Sequence, residues 1–155
     1  MRIIGFTILG EPASKANSRV VSTIGPKDNR RTIIRKGDKA LSYEKNALRQ
    51  IPPTARVQLE GPVCITLNIF YASERPDLDE SVVLDILQDR YKSVGKGEEK
   101  RRELIQKGVY RNDRQVREKH VYHHIDKKNP RTEVLIEALS AQQSGLLNEK
   151  MEARS

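Results

Sequence analysis

The sequence has a single cysteine, no tryptophan and no long apolar segment. One cysteine excludes an intrachain disulfide and zinc sites built from four cysteines, and Cys64 lies in an apolar run that predicts a small core residue. The scarcity of aromatic residues argues against an extended base-stacking surface. No apolar run approaches the roughly 20 residues that span a bilayer, and the N-terminus lacks a charged-then-apolar leader. We therefore expect a soluble, intracellular protein without membrane contact.

The charge of the chain is strongly positive. Its 155 residues suit one domain, and 29 Lys and Arg against 21 Asp and Glu give a net charge of +8. Two regions together carry more than this whole excess: residues 15–49, with ten basic and three acidic residues, and residues 90–128, with 13 basic and six acidic. Such regions are either solvated surface or a face that binds a polyanion such as a nucleic acid backbone.

Hydrophobic periodicity predicts an α+β fold. Strands are expected over 3–9, 20–24, 32–35, 62–71, 116–125 and 132–139, and helices over 42–50, 81–88 and 98–107, the last ended by Gly108. We expect a single domain over 1–140, with a small mixed sheet packed by helices on one side. The last two strands are expected to pair as a closing β-hairpin. Residues 141–155 are predicted to be a flexible or partner-docking tail.

Two carboxylates, Asp77 and Asp79, lie where the strand over 62–71 gives way to a helix. One interpretation is a helix cap, with Asp77 as the N-cap and Glu80 completing a capping box. Capping needs only one Asp, however, and residues i and i+2 of an extended corner point to the same side. Both carboxylates can then approach one Mg²⁺, which prefers oxygen ligands and usually takes one or two carboxylates plus substrate phosphate.

A third carboxylate, Asp113, lies between Arg111 and Arg114. It is interpreted either as a turn residue paired with a neighbouring arginine or as a further metal ligand, because a carboxylate among cations stays ionised.

The histidines and a glycine-rich segment are weaker candidates. On a strand, His120 and His124 share a face but lie about 13 Å apart, and His123 faces away, so surface or interface positions are expected. The segment 95–97, Gly-Lys-Gly, lacks the spacing of a phosphate-binding loop. No small-molecule cofactor is predicted.

Four features occur in order along the chain. They are an opening strand followed by Gly10-Glu11-Pro12, Lys15 and Arg19; Arg75-Pro76-Asp77-Leu78-Asp79 between a strand and a helix; Val109-Tyr110-Arg111-Asn112-Asp113-Arg114-Gln115-Val116; and a closing hairpin with Asn129-Pro130-Arg131-Thr132-Glu133-Val134 at its return. In this combination the chain resembles the RusA-like family of Holliday-junction resolvases, including its phage-borne members.

The resemblance implies a homodimeric, Mg²⁺-dependent endodeoxyribonuclease that nicks two symmetric strands of a four-way junction in the cytoplasm of a bacterial or phage-infected cell. It places catalytic Mg²⁺ ligands at Asp77, Asp79 and Asp113, with Mn²⁺ as an alternative ion. A twofold dimer offers two equivalent sites to the two equivalent phosphates of a junction, and a metal can activate water for in-line attack. Candidates for salt-sensitive contact with the DNA backbone are Lys15, Arg19, Arg75, Arg111 and Arg114.

The sequence also departs from the family pattern. The family typically has Asn after the second Asp and a lysine four residues beyond that Asp, whereas this chain has Glu80 and Val83. Candidates for a replacement cation are Lys15, Lys92, Lys96 and Arg111. Two further hypotheses therefore stay open: a basic nucleic-acid-binding protein that has lost catalysis, and a nuclease acting on flaps or other branched DNA.

Overall fold

The computed structural model describes residues 2–75 and 77–139, and it confirms a small single-domain α+β fold made mostly of strands. The strands are β1 (Ile3–Leu9), β2 (Arg19–Ile24), β3 (Arg31–Lys36), β4 (Val63–Tyr71), β5 (Arg90–Val94), β6 (Arg101–Gln106), β7 (Val116–Ile125) and β8 (Arg131–Ala138). The helices are α1 (Lys15–Ser18), α2 (Asp38–Gln50) and α3 (Ser81–Ile86). The predicted tail lies outside the described residues. No described helix is long and apolar enough to cross a membrane.

The central sheet is mixed and has the order β1-β8-β4-β7. The predicted closing hairpin between β7 and β8 is wrong, because β4 lies between them, parallel to β7 and antiparallel to β8. The burial of β4 explains its position: all of its residues are buried or half-buried, whereas β7 is mostly exposed. An apolar strand gains most from a central place, and a charged strand suits an edge.

The core lies against one face of this sheet. Alternate residues of β4 belong to it, and α2 and α3 contribute buried side chains on the same side. The sheet and α2 contribute Ile8, Ile65, Leu67, Ile69, Val134, Ile136, Ala40 and Tyr43, and α3 adds Val82, Val83 and Ile86. This packing fixes the loop that follows β4 and the helix that follows the loop.

Two β-hairpins lie outside the central sheet. One is formed by β2 and β3 and the other by β5 and β6, each a separate two-stranded antiparallel sheet. The second hairpin corrects the predicted helix over 98–107. The charge order of this segment, acids first and a lysine last, suits a helix dipole. In the structure the segment instead forms β6 and pairs with β5, and the opposite charges of Lys92 and Glu103 face each other across the two strands.

Candidate functional site

An open cleft of about 550 Å³ brings together three carboxylates and three cations. The carboxylates are Asp79, Asp85 and Asp113, and the cations are Lys15, Arg19 and Lys36. Four of the predicted residues, Asp79, Asp113, Lys15 and Arg19, thus meet at one place although they span almost 100 positions in sequence. Asp85 and Lys36 are members of the cleft that the sequence interpretation missed.

The corner after β4 holds Asp79 beside the start of α3. Its Oδ1 accepts a hydrogen bond of 3.0 Å from the backbone N–H of Ser81. The predicted capping box is not formed: the N-cap residue of α3 is Glu80, which makes no side-chain cap hydrogen bond within the described residues. Instead, Glu80 accepts a hydrogen bond from Lys119 at 2.9 Å, and this bond lowers the pKa of the Glu80 carboxyl group.

Lys36, at the end of β3, reaches two carboxylates of different elements. Its Nζ lies 2.6 Å from Glu44 Oε2 on α2 and 3.0 Å from Asp85 Oδ2 on α3. Burial alone lowers the pKa of Lys36, but the hydrogen bonds to Glu44 and Asp85 outweigh burial and raise it. Lys36 therefore stays a cation at the wall of the cleft. Sequence alone gives no signal for this contact, because 49 residues separate Lys36 and Asp85.

Asp113 begins a short 3-10 turn, Asp113–Gln115, that is fixed from both ends. The Asn112 side chain accepts a hydrogen bond from the backbone N–H of Arg114, and Gln115 Oε1 accepts from the backbone N–H groups of Arg111 and Asn112, all at 2.9 Å. The Gln115 amide also donates to the backbone carbonyls of residues 59 and 61, at 2.7 and 2.9 Å. This reciprocal capping anchors the turn to the segment before β4.

Gln88 and Tyr110 join the Asp113 turn to the helix that carries Asp85. Gln88 Nε2 donates to Asp85 Oδ1 at 2.9 Å, and Gln88 Oε1 accepts from the backbone N–H of Asp113 at 3.1 Å. The buried Tyr110 hydroxyl donates to the Leu84 carbonyl at 2.7 Å. Burial raises the pKa of Tyr110, and the charges of Asp113 and Asp85 raise it further, so the hydroxyl keeps its proton.

The other predicted site residues lie around the cleft. Asp77 is absent from the described residues that line it, although its backbone carbonyl accepts a 3.0 Å hydrogen bond from the N–H of Lys15. Arg75 pairs with Glu11 at 2.7 Å and lines a different pocket.

Two predicted arginines flank the Asp113 turn. Arg111 pairs with Glu60 at 2.9 Å, and both side chains are exposed. Arg114 is exposed within the turn itself. Exposed ion pairs contribute little to stability, so the Arg111 guanidinium can exchange Glu60 for another anion.

The position of the family lysine is apolar and closed to solvent. Val83 is fully buried in the core, where an unpaired lysine ammonium would be strongly disfavoured. Of the replacement cations predicted from the sequence, only Lys15 is among the described residues lining the cleft, and Lys36 joins it there. Lys92 and Lys96 lie on the second hairpin and its turn.

A second group of side chains could hold a metal ion. One ligand atom each from Cys64, Glu118 and His120 lies within 4.8 Å of the other two. β4 and β7 bring them together, because Cys64 pairs with Glu118 and His120 follows two residues later on the same face. The sequence interpretation treated Cys64 as a core residue and His120 as a surface residue, since parallel pairing of these strands was not foreseen. This sulfur–nitrogen–oxygen set suits softer ions than Mg²⁺.

No family model matches the chain, and no curated protein gives a significant sequence match. The resemblance to RusA-like resolvases therefore stays a prediction that rests on the motifs themselves.

Proposed function

We propose that the chain is a Mg²⁺-dependent endodeoxyribonuclease of the RusA-like type, which cuts four-way junctions or other branched DNA by paired symmetric nicks. The observation that carries the proposal is the convergence of Asp79, Asp85 and Asp113 with three cations in one open cleft. Carboxylates beside lysine and arginine suit a phosphodiester: the acids can hold a divalent ion, and the cations can hold the phosphate oxygens.

The oxygen donors of the cleft are of the type that Mg²⁺ prefers, but among the described residues the three cleft acids do not bring their ligand atoms within 4.8 Å of one another. An ion there would therefore complete its shell with water and phosphate oxygens. Carboxylate oxygens are hard ligands of the kind that Mg²⁺ and Mn²⁺ prefer. Both the family resemblance and the lining of the cleft support Asp79 and Asp113 as ligands. Only the cleft supports Asp85, and only the resemblance supports Asp77. When bound, the metal would lower the pKa of a water molecule and neutralise charge on the scissile phosphate.

Side chains around the cleft can bind the DNA phosphates and orient the acids. Lys15 and Arg19 present their side chains to the cleft, where they can bind the phosphates on either side of the scissile bond. Lys36 holds Asp85 at 3.0 Å and Gln88 holds it from the other side at 2.9 Å, so this carboxylate keeps one orientation. Gln88 also binds the backbone of Asp113, which links the positions of two acids from separate elements.

Pairing of two such clefts would explain symmetric cutting. The family resemblance implies a homodimer, and a twofold axis would relate two clefts as it relates the two cut strands of a junction.

A second candidate is a basic DNA-binding protein without catalysis. The observation that favours it is Val83, which removes the lysine of the family pattern and is fully buried. Lys36 and Lys15 supply ammonium groups at the cleft from other elements, and for this reason we favour the nuclease.

The test is to incubate purified protein with a four-way junction, a flap and a linear duplex, each with Mg²⁺, with Mn²⁺ and with chelator. The nuclease predicts metal-dependent, symmetric nicks in the junction or the flap. Binding without nicks under every condition would support the non-catalytic candidate and contradict the nuclease.

A further inference from the structure

The positive charge of the chain is concentrated on the two hairpins. Residues 19–36 contain six basic residues and one acidic residue, and residues 90–106 contain six basic and three acidic. These two segments together carry a net charge of +8, which equals that of the whole chain, so the remaining residues are neutral as a group. Each hairpin is thus a basic surface of the kind that attracts a polyanion, and the further net charge of +4 on residues 107–128 is offset by acidic residues elsewhere in the chain.

The bases of the two hairpins meet at one buried carboxylate. Glu44 on α2 is 7% exposed, and it binds Lys36 at the end of β3 through Oε2 and Arg90 at the start of β5 through Oε1. Lys36 also reaches Asp85 at the cleft. The first hairpin therefore ends at the acidic cleft, and the second begins at the same buried carboxylate, where the Lys36 and Arg90 side chains are 34% and 26% exposed.

The hairpins are exposed along most of their length. Large apolar side chains are exposed on them as well, including Val21, Ile34 and Ile105 at 70%, 69% and 56%. The turn of the second hairpin is tight: Gly95 has φ +83°, and a Cβ there would lie 2.5 Å from the carbonyl oxygen of Glu99. A short, twisted, two-stranded ribbon has the dimensions that the major groove of B-form DNA admits.

We propose that the β2–β3 and β5–β6 hairpins are two arms that bind duplex DNA next to the acidic cleft, mainly through its phosphates. This inference deepens the proposed function, on which it rests for the presence of a cut phosphate in the cleft. The charge of the arms supplies the attraction, and the Glu44 ion pairs set the position of both arms relative to Asp85.

The chemistry of the arms favours a DNA duplex over RNA or a single strand. An RNA duplex has a deep, narrow major groove that a ribbon does not enter. Single-strand binding uses several stacked aromatic side chains, and these two segments contain one aromatic residue, Tyr91, which has the Arg102 guanidinium 4.5 Å from its ring centre. A wide groove flanked by phosphates matches basic ribbons better than either alternative.

The test measures equilibrium binding by fluorescence anisotropy over a range of salt concentrations, with chelator present so that no cleavage occurs. The probes are a DNA duplex, a four-way junction, an RNA duplex of the same sequence and a single strand. Lys27→Gln with Arg30→Gln removes two positive charges from the first arm, and Lys96→Gln with Lys100→Gln removes two from the second. Lys127→Gln with Lys128→Gln, in the exposed turn between β7 and β8, removes the same charge elsewhere.

Each arm variant should weaken duplex and junction binding several-fold, and should make the salt slope shallower by about 0.9 for each phosphate that the variant no longer neutralises. The matched control should bind as the parent does, and all variants should keep the parent melting temperature. Parent-like binding by the arm variants would contradict the proposal that the arms bind DNA, and so would an equal loss of binding in the control. The proposal is also contradicted if the parent binds no DNA, or if it prefers RNA or a single strand.

The two proposals fail separately. DNA binding that depends on the arms, without metal-dependent cleavage, would support the role of the arms and contradict the nuclease activity. Cleavage that needs Asp79 but not the arms would support the nuclease activity and contradict the role of the arms.

Discussion

Lys36 Nζ lies 3.0 Å from Asp85 Oδ2, and this contact connects the end of a basic hairpin to the helix that forms one wall of the acidic cleft. The same ammonium group binds Glu44 at 2.6 Å, so one lysine joins β3, α2 and α3. Lys36 thereby supplies positive charge beside the acids, although the position of the family lysine is the buried Val83.

Replacing Lys36 should test this connection. Lys36→Met should lower the rate of junction cleavage, because Asp85 is left with one of its two partners and the cleft has one cation fewer. The free energy of unfolding should fall by about 1 kcal/mol, since Glu44 keeps Arg90 and Asp85 keeps Gln88. Urea unfolding and a cleavage time course measure the two effects. Lys39→Met, an exposed lysine of α2, serves as a structural control with stability near that of the parent.

The effect of Lys36 on stability should depend on pH in a defined direction. The pKa of Lys36 is raised above its ordinary value of 10.5, since the hydrogen bonds to Glu44 and Asp85 outweigh the lowering by burial. The stabilisation is therefore fully present below pH 10.5 and is lost as the pH rises through the pKa of the folded state. The difference in unfolding free energy between the parent and Lys36→Met should be constant below that pH and shrink above it. A difference that grew with pH would contradict the assignment.

Tyr110 should hold the segment of the Asp113 turn against α3. Tyr110→Phe removes the hydrogen bond to the Leu84 carbonyl, which keeps its 3.3 Å bond from the Leu87 N–H, so the variant should lose about 1 kcal/mol of stability. Cleavage should slow as well, because α3 and the Asp113 turn are less firmly joined. Thermal unfolding measures the first effect. Tyr122→Phe, at a 51% exposed position, should change nothing, and equal losses of stability in both variants would contradict the role given to Tyr110.

Gly108 should tolerate no side chain. A Cβ there would lie 2.3 Å from the backbone carbon of Gln88 and 2.5 Å from the carbonyl oxygen of Leu87, and neither backbone atom can move away freely. Gly108→Ala should therefore destabilise the fold by more than about 3 kcal/mol. Gly5→Ala, where the nearest atom is an ordinary 3.5 Å away, is the matched control. Near-parent stability of Gly108→Ala would contradict the close packing of Gly108 against the end of α3.

The elements whose position follows from local hydrophobic periodicity were predicted from the sequence. The strands β1, β4 and β7 alternate or concentrate apolar residues, and the strand over 62–71 and the helix beginning at Ser81 follow from that periodicity. Asp79 and Asp113, which the sequence marks as candidate ligands, both line one cleft, and their role as a shared site stays a prediction.

What the sequence did not predict depends on distant contacts. The segment 98–107 has the charge order of a helix, yet it pairs with β5, because cross-strand partners and the turn at Gly95 decide its conformation. The insertion of β4 between β7 and β8 likewise requires knowledge of how the whole sheet is ordered. Lys36 lies 49 residues from Asp85, and no local pattern marks it as part of the cleft.

The central claim is that carboxylates of this cleft support metal-dependent cleavage, and cleavage of a four-way junction by single Asp variants tests it most directly. Asp79→Asn and Asp113→Asn should each slow cleavage at least about 100-fold, while junction binding in chelator stays at the parent level. Asp77→Asn, placed in the set by the family resemblance, should behave alike. Asp38→Asn, at a 91% exposed side chain, should cleave as the parent does. Parent-level cleavage by Asp79→Asn or Asp113→Asn would contradict the account.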